Sequence, residues 1–144
     1  MTAFIEGDVR SQATLFPDQL DDYIVPDNVV RVIDAFVNEM ELGDLGFKVI
    51  PEIKGRPAYH PAVMLKIYIY GYLNRIQSSR RLEREAGRNV ELMWLTCRLM
   101  PDFKTITDFR KDNGPAIRKV CQEFVVTCRK FNLFTKALVA IDGS

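Results

Sequence analysis

The sequence predicts a mainly α protein: a helical bundle with a helix-turn-helix-like section, ending in one β-strand. Three observations carry that prediction. Apolar residues recur at helical spacing through most of the chain, and proline, glycine and cap residues cut it into short segments. The last residues, Leu138-Val139-Ala140-Ile141-Asp142-Gly143-Ser144, form an apolar run that delivers one aspartate at its end. A lone strand leaves its backbone donors and acceptors unpaired, so this run is expected to open a sheet that continues past Ser144. The expected organisation is a loosely ordered segment over residues 1–24, a helical domain over 25–134, and the first strand of a further domain over 135–144.

Residues 1–24 are rich in turn formers, with Phe4, Leu15, Phe16 and Leu20 as scattered anchors. A first helix is expected after Pro26, capped by Asp27 or Asn28. Val29, Val30, Ile33, Phe36, Val37 and Met40 fall on one face of it, and Gly43 and Gly46 end it. Residues 47–58, with two prolines and a glycine, read as an extended connector. His60-Pro61 opens a second helix, proline taking its tolerated first position. This helix is apolar nearly all round, which predicts the centre of the bundle. Gly71 within it costs about 1 kcal/mol against alanine, which a close helix crossing would justify.

Ser78 or Ser79 caps a short third helix, RRLEREA, ended by Gly87. Asn89 caps a fourth, VELMWLTC, whose Leu92, Met93, Trp94 and Leu95 mark it as largely buried. After Pro101, Thr105 is read as the start of a fifth helix, ITDFRKDN, with Asp108 as a capping-box-like partner. Gly114-Pro115 is expected to separate this from the longest helix, 115–133. There Ile117, Val120, Cys121, Phe124, Val125, Cys128 and Phe131 make a continuous apolar stripe.

With 144 residues, 47% of them hydrophobic, the chain can bury a core of its own. No run reaches 18 apolar residues and the N-terminus lacks a signal-peptide pattern, so a soluble, cytoplasmic protein without membrane contact is expected. Its three cysteines, Cys97, Cys121 and Cys128, form no CxxC pair and suit small buried positions. His60 is the single histidine, which excludes a His-based metal cluster. The formal net charge of +1 hides a split. Residues 1–54 hold four basic and eleven acidic residues, net −7; residues 55–144 hold 16 and eight, net +8. A basic C-terminal portion points to a polyanionic partner, against which the acidic portion can pack or act as a mask.

Positive charge is densest around the third helix, where Arg75, Arg80, Arg81, Arg84 and Arg88 lie within fourteen residues. The planar guanidinium fork suits phosphate. Glu83 and Glu85 offset part of this charge through local pairs, and an ordinary salt-bridged surface helix is the competing reading. The fourth helix offers almost no polar side chain to a base edge. The fifth buries Ile106 and Phe109 and leaves Thr107, Arg110 and Lys111 available, so base contact is assigned there and phosphate contact to Arg80, Arg81, Arg84 and Arg88.

The ordered series GRPAYHP, SSRRLERE, PDFKTITDFR and AIDGS resembles the N-terminal region of bacterial insertion-sequence transposases with an aspartate–aspartate–glutamate active site. The likeness runs from about Val29 to the end. It implies a helical DNA-binding region ahead of a ribonuclease-H-like catalytic domain, with nucleoid-associated duplex DNA, the terminal inverted repeats of an element, as partner. It also implies that Asp142 is the first of three acidic residues holding magnesium or manganese. The sequence ends two residues later, so this polypeptide is expected to lack the rest of the triad, to need no cofactor and to be catalytically inert. Two other readings compete: a helical interaction module, serving a homodimer or a separately encoded catalytic part, and a decayed gene product without function.

Overall fold

The computed structural model describes residues 3–11, 19–51, 55 and 57–131. Among these the secondary structure is helical: α1 (Val29–Asn38), α2 (Pro61–Leu73), α3 (Ser79–Ala86), α4 (Val90–Thr96) and α5 (Phe103–Lys130), with 3-10 turns at Leu20–Tyr23 and Leu42–Leu45. The expected strand, with Asp142, lies outside the described residues.

Local chemistry fixes the helix starts. The Asn28 side chain accepts the Val30 N–H at 2.9 Å, Ser78 the Arg81 N–H at 3.3 Å, and Asn89 the Glu91 N–H at 3.0 Å. At α2 the cap is His60, whose Nδ1 accepts from the Ala62 N–H at 3.0 Å while Pro61 takes the first helical position. Only an unprotonated ring nitrogen can accept. Burial, with Lys66 nearby, holds the His60 pKa below its usual value, in keeping with that role.

α2 is the axis of the bundle. Residues 64–71 are all buried, and α2 packs against α1, α4 and α5. Gly71 is the close crossing: a Cβ there would lie 2.8 Å from the Ile76 carbonyl oxygen and 3.1 Å from Leu82 Cδ2 of α3. α4 is covered by α1, α2 and α3, with Leu92, Trp94, Leu95 and Thr96 buried. Its Glu91 links three elements, accepting from Asn28 Nδ2 and from the Tyr70 hydroxyl, both at 2.7 Å. Burial first, then this carboxylate, raises the Tyr70 pKa and keeps the phenol a donor.

The fifth helix differs from expectation at its start. It begins at Phe103, because Asp102 accepts the Thr105 N–H at 2.8 Å and takes the cap assigned to Thr105. As expected, the chain changes helix at Gly114-Pro115: the non-helical Asn113 (φ −132°, ψ 20°) divides α5 into a first arm and a second that runs on to Lys130. Pro115 lacks an N–H and its ring crowds the carbonyl four residues back, so the helical path breaks just before it. The Asn113 side chain donates to the Phe109 carbonyl at 3.0 Å, satisfying an acceptor at the bend.

Acidic and basic residues of the N-terminal part enter the packing. Asp34 of α1 accepts from Arg10 Nη2 at 2.7 Å and from Lys66 Nζ at 2.8 Å, and Lys66 is 7% exposed. Arg10 also donates to the Trp94 carbonyl at 2.6 Å. The guanidinium groups of Arg10 (4.1 Å) and Arg31 (4.9 Å) both lie over the Trp94 ring, and its indole N–H donates to Asp21 at 2.8 Å. Residues 3–11 cross this end of the bundle: Ile5 N–H donates to the Ala58 carbonyl and Asp8 N–H to the Cys97 carbonyl. At Gly7 a Cβ would come within 2.5 Å of the Cys97 carbonyl oxygen, so the segment passes there only as glycine.

Candidate nucleic-acid interface

α3 lies along the first arm of α5 and runs against it. Gln77, just before α3, meets Arg110, while Glu83 inside α3 meets Phe103 at the α5 start. Ser79, Leu82 and Ala86 form the buried face of α3. That leaves Arg80, Arg81 and Arg84 on the opposite, exposed side, with Arg88 in the turn that follows. The structure thus gathers the four arginines on one edge and sets α5 beside them.

The two glutamates among them offset only one of these arginines. Glu83 Oε2 accepts the Phe103 N–H at 3.3 Å. Glu85 pairs with Arg88 at 3.1 Å, and that hydrogen bond is the main cause of its lowered pKa. Arg80 lies over the Phe103 ring at 3.9 Å. Among the described residues neither Arg81 nor Arg84 forms a salt bridge. The positive field of this face is therefore only partly cancelled.

On α5, Ile106 is fully buried and Phe109 stacks between Phe47 (5.7 Å) and Tyr68 (6.1 Å). The Tyr68 hydroxyl donates to the Ile106 carbonyl, which fixes the rotation of this arm. Thr107, Arg110 and Lys111 are exposed, Thr107 and Lys111 one turn apart. Arg110 turns back toward the α2–α3 connection: its Nη1 is 3.4 Å from the Gln77 carbonyl and its guanidinium 5.9 Å from the Tyr68 ring. Arg110 therefore faces a different direction from Lys111 next to it.

Sequence reasoning missed what Arg110 borders. Between the end of α2 and α5 lies a groove of about 660 Å³, with Tyr72, Arg75, Arg110 and Arg118 along it. Its α5 side is one face of that helix, with Ile117 and Cys121 beneath Arg118 and Gln122. The position of α2 opposite this face of α5 is not announced by any local pattern. Arg75 enters through a left-handed backbone (φ 58°) that no local pattern announces.

Among the described residues no three His, Cys, Asp or Glu side chains come together to hold a metal ion, and Asp142, to which the transposase likeness assigns magnesium or manganese, lies outside them. No helix among them is long and apolar enough to cross a membrane. No curated protein and no solved structure matches the chain. Residues 18–112 match the transposase domain DUF772, a stretch that takes in α1 to α4 and the first arm of α5 and stops at the residue before the kink. With about two thirds of its length in that match, the chain belongs to the transposase domain family.

Proposed function

We propose that the chain is the DNA-binding part of an insertion-sequence transposase and holds the terminal inverted repeats of its element. In this reading α3 and α5 work as a helix-turn-helix-like pair. Arg80, Arg81, Arg84 and Arg88 hold the phosphate backbone, and Thr107 and Lys111 meet base edges, joined by Arg110 when its side chain leaves the Gln77 carbonyl. The observation that carries it is the antiparallel pairing of α3 with α5, which sets an arginine edge beside a polar helix face, with Glu83 turned to the Phe103 N–H and Glu85 offsetting Arg88 alone. α4 is too buried to serve as the reading helix.

A salt titration on duplex carrying the element ends tests the assignment. Affinity should fall steeply with salt, each neutralised phosphate adding about −0.9 to the log–log slope. Arg80→Ala with Arg84→Ala should weaken cognate and random duplex alike and flatten that slope by about two contacts' worth. Arg110→Ala should cost about 1–3 kcal/mol on the cognate site and much less on random DNA. Folded protein that binds no duplex at low salt would favour the interaction module, serving a homodimer or a separate catalytic part.

A further inference from the structure

The groove between α2 and α5 has a chemistry that the arginine edge of α3 lacks. Three arginines reach it from three places: Arg75 from the turn after α2, Arg110 from the first arm of α5, and Arg118 from the second. All three are exposed, and among the described residues no carboxylate lines the groove. The floor is apolar: Ile76, Ile117 and Cys121 are each 8% exposed or less. Burial pushes the Cys121 thiol up to about 11, so it stays protonated and adds no charge. Tyr72 stands at the edge with 44% of its surface exposed, a large aromatic beside guanidinium groups.

We propose that this groove takes a single-stranded stretch of DNA, one unstacked base lying on Tyr72 and its flanking phosphates on Arg75 and Arg118. The site rests on the DNA-binding reading above for its polymer, but Tyr72, Arg75 and Arg118 have no part in that reading, and Arg110 alone borders both. A positive groove with an exposed aromatic is the arrangement by which proteins hold single strands, because every base has a π-face and every linkage a phosphate. The volume of about 660 Å³ lies within the range of small-ligand clefts. A duplex offers this cleft only its phosphates, since its bases are stacked inside, and would leave the apolar floor wet. An unstacked base covers the floor and adds the hydrophobic and stacking terms. The kink at Asn113 belongs to the same device, because Arg110 and Arg118 sit on its two sides and both border the groove.

Fluorescence anisotropy with the full chain, a labelled oligothymidine and a labelled blunt duplex tests this at fixed low salt. Tyr72→Ser should weaken single-strand binding about 5- to 150-fold, and Tyr72→Phe should retain it. Duplex affinity should stay within about twofold in both, as expected for a residue that touches only an unstacked base. Arg75→Asn with Arg118→Gln should flatten the single-strand salt slope by about 1.4; asparagine is chosen because it tolerates the left-handed backbone at position 75. Thermal unfolding of each variant checks that the fold is retained. A Tyr72→Ser variant that binds oligothymidine like the parent, or loses single strand and duplex equally, overturns the proposal. Parent protein that binds oligothymidine but no duplex rejects the duplex reading and keeps this one; the reverse result rejects this one alone.

Discussion

Two groups of charged side chains in this molecule use the same residue types to opposite ends. At the N-terminal end, Arg10, Asp34 and Lys66 meet in a compact cluster, with Arg10 and Arg31 both over the Trp94 ring. Along α3, Arg81 and Arg84 stand exposed without a salt bridge among the described residues, and Arg80 rests on Phe103. In the first group each charge is held by a partner from a distant part of the chain, and the cluster fastens α1, α2 and α4 to the N-terminal segment. In the second, the nearby glutamates are engaged by Phe103 and Arg88. A guanidinium is structural where the fold brings it a carboxylate or a carbonyl, and available for a ligand where the fold directs those groups elsewhere.

The sharpest break in this comparison is Asp34→Ala. It leaves Lys66, 9% exposed at its side chain, and Arg10 without their shared carboxylate. Removing one partner of a buried pair costs about 3–5 kcal/mol, so urea unfolding should shift by that amount. A shift below about 1 kcal/mol would mean that the cluster behaves like an ordinary surface pair. Gly71→Ala comes next. The added methyl group meets the Ile76 carbonyl and Leu82, so α3 must move away from α2. Overpacking of this kind costs about 1–3 kcal/mol. Since α3 carries the arginine edge, duplex affinity should fall together with stability.

The smallest effect is expected at Arg80→Ala with Arg84→Ala. Only the Arg80–Phe103 contact is lost from the folded state, so stability should change by about 1 kcal/mol or less in the same unfolding assay. A loss as large as that of Asp34→Ala would show that α3 depends on its arginines structurally, and would remove the contrast between the two regions.

Much of the bundle was legible because its signals are local. Asn28, Ser78 and Asn89 cap the helices they were expected to cap, and the all-apolar pattern after His60-Pro61 marked α2 as central. Gly71 read as a close crossing because a helical glycine has a cost that only packing offsets. The start of α5 was misread for a reason equally local: Thr105 and Asp102 are both good caps, and the sequence does not rank them. Gly114-Pro115 was equally legible: it marks the junction of two helical arms, with the irregular residue at Asn113 just before it.

By itself the sequence determined the helical class, most of the helix boundaries, the buried character of α4 and the concentration of arginine near α3. These follow from periodicity, capping chemistry and composition, which act over a few residues. Tertiary structure alone decided which charges are partnered and which are open. Arg10 and Asp34 are 24 residues apart and Arg110 and Gln77 are 33 apart, separations over which no local pattern carries information. The groove arises in the same way, from α2 and the two arms of α5 meeting in space. Burial and long-range pairing depend on where the helices pack, and packing is a property of the whole core.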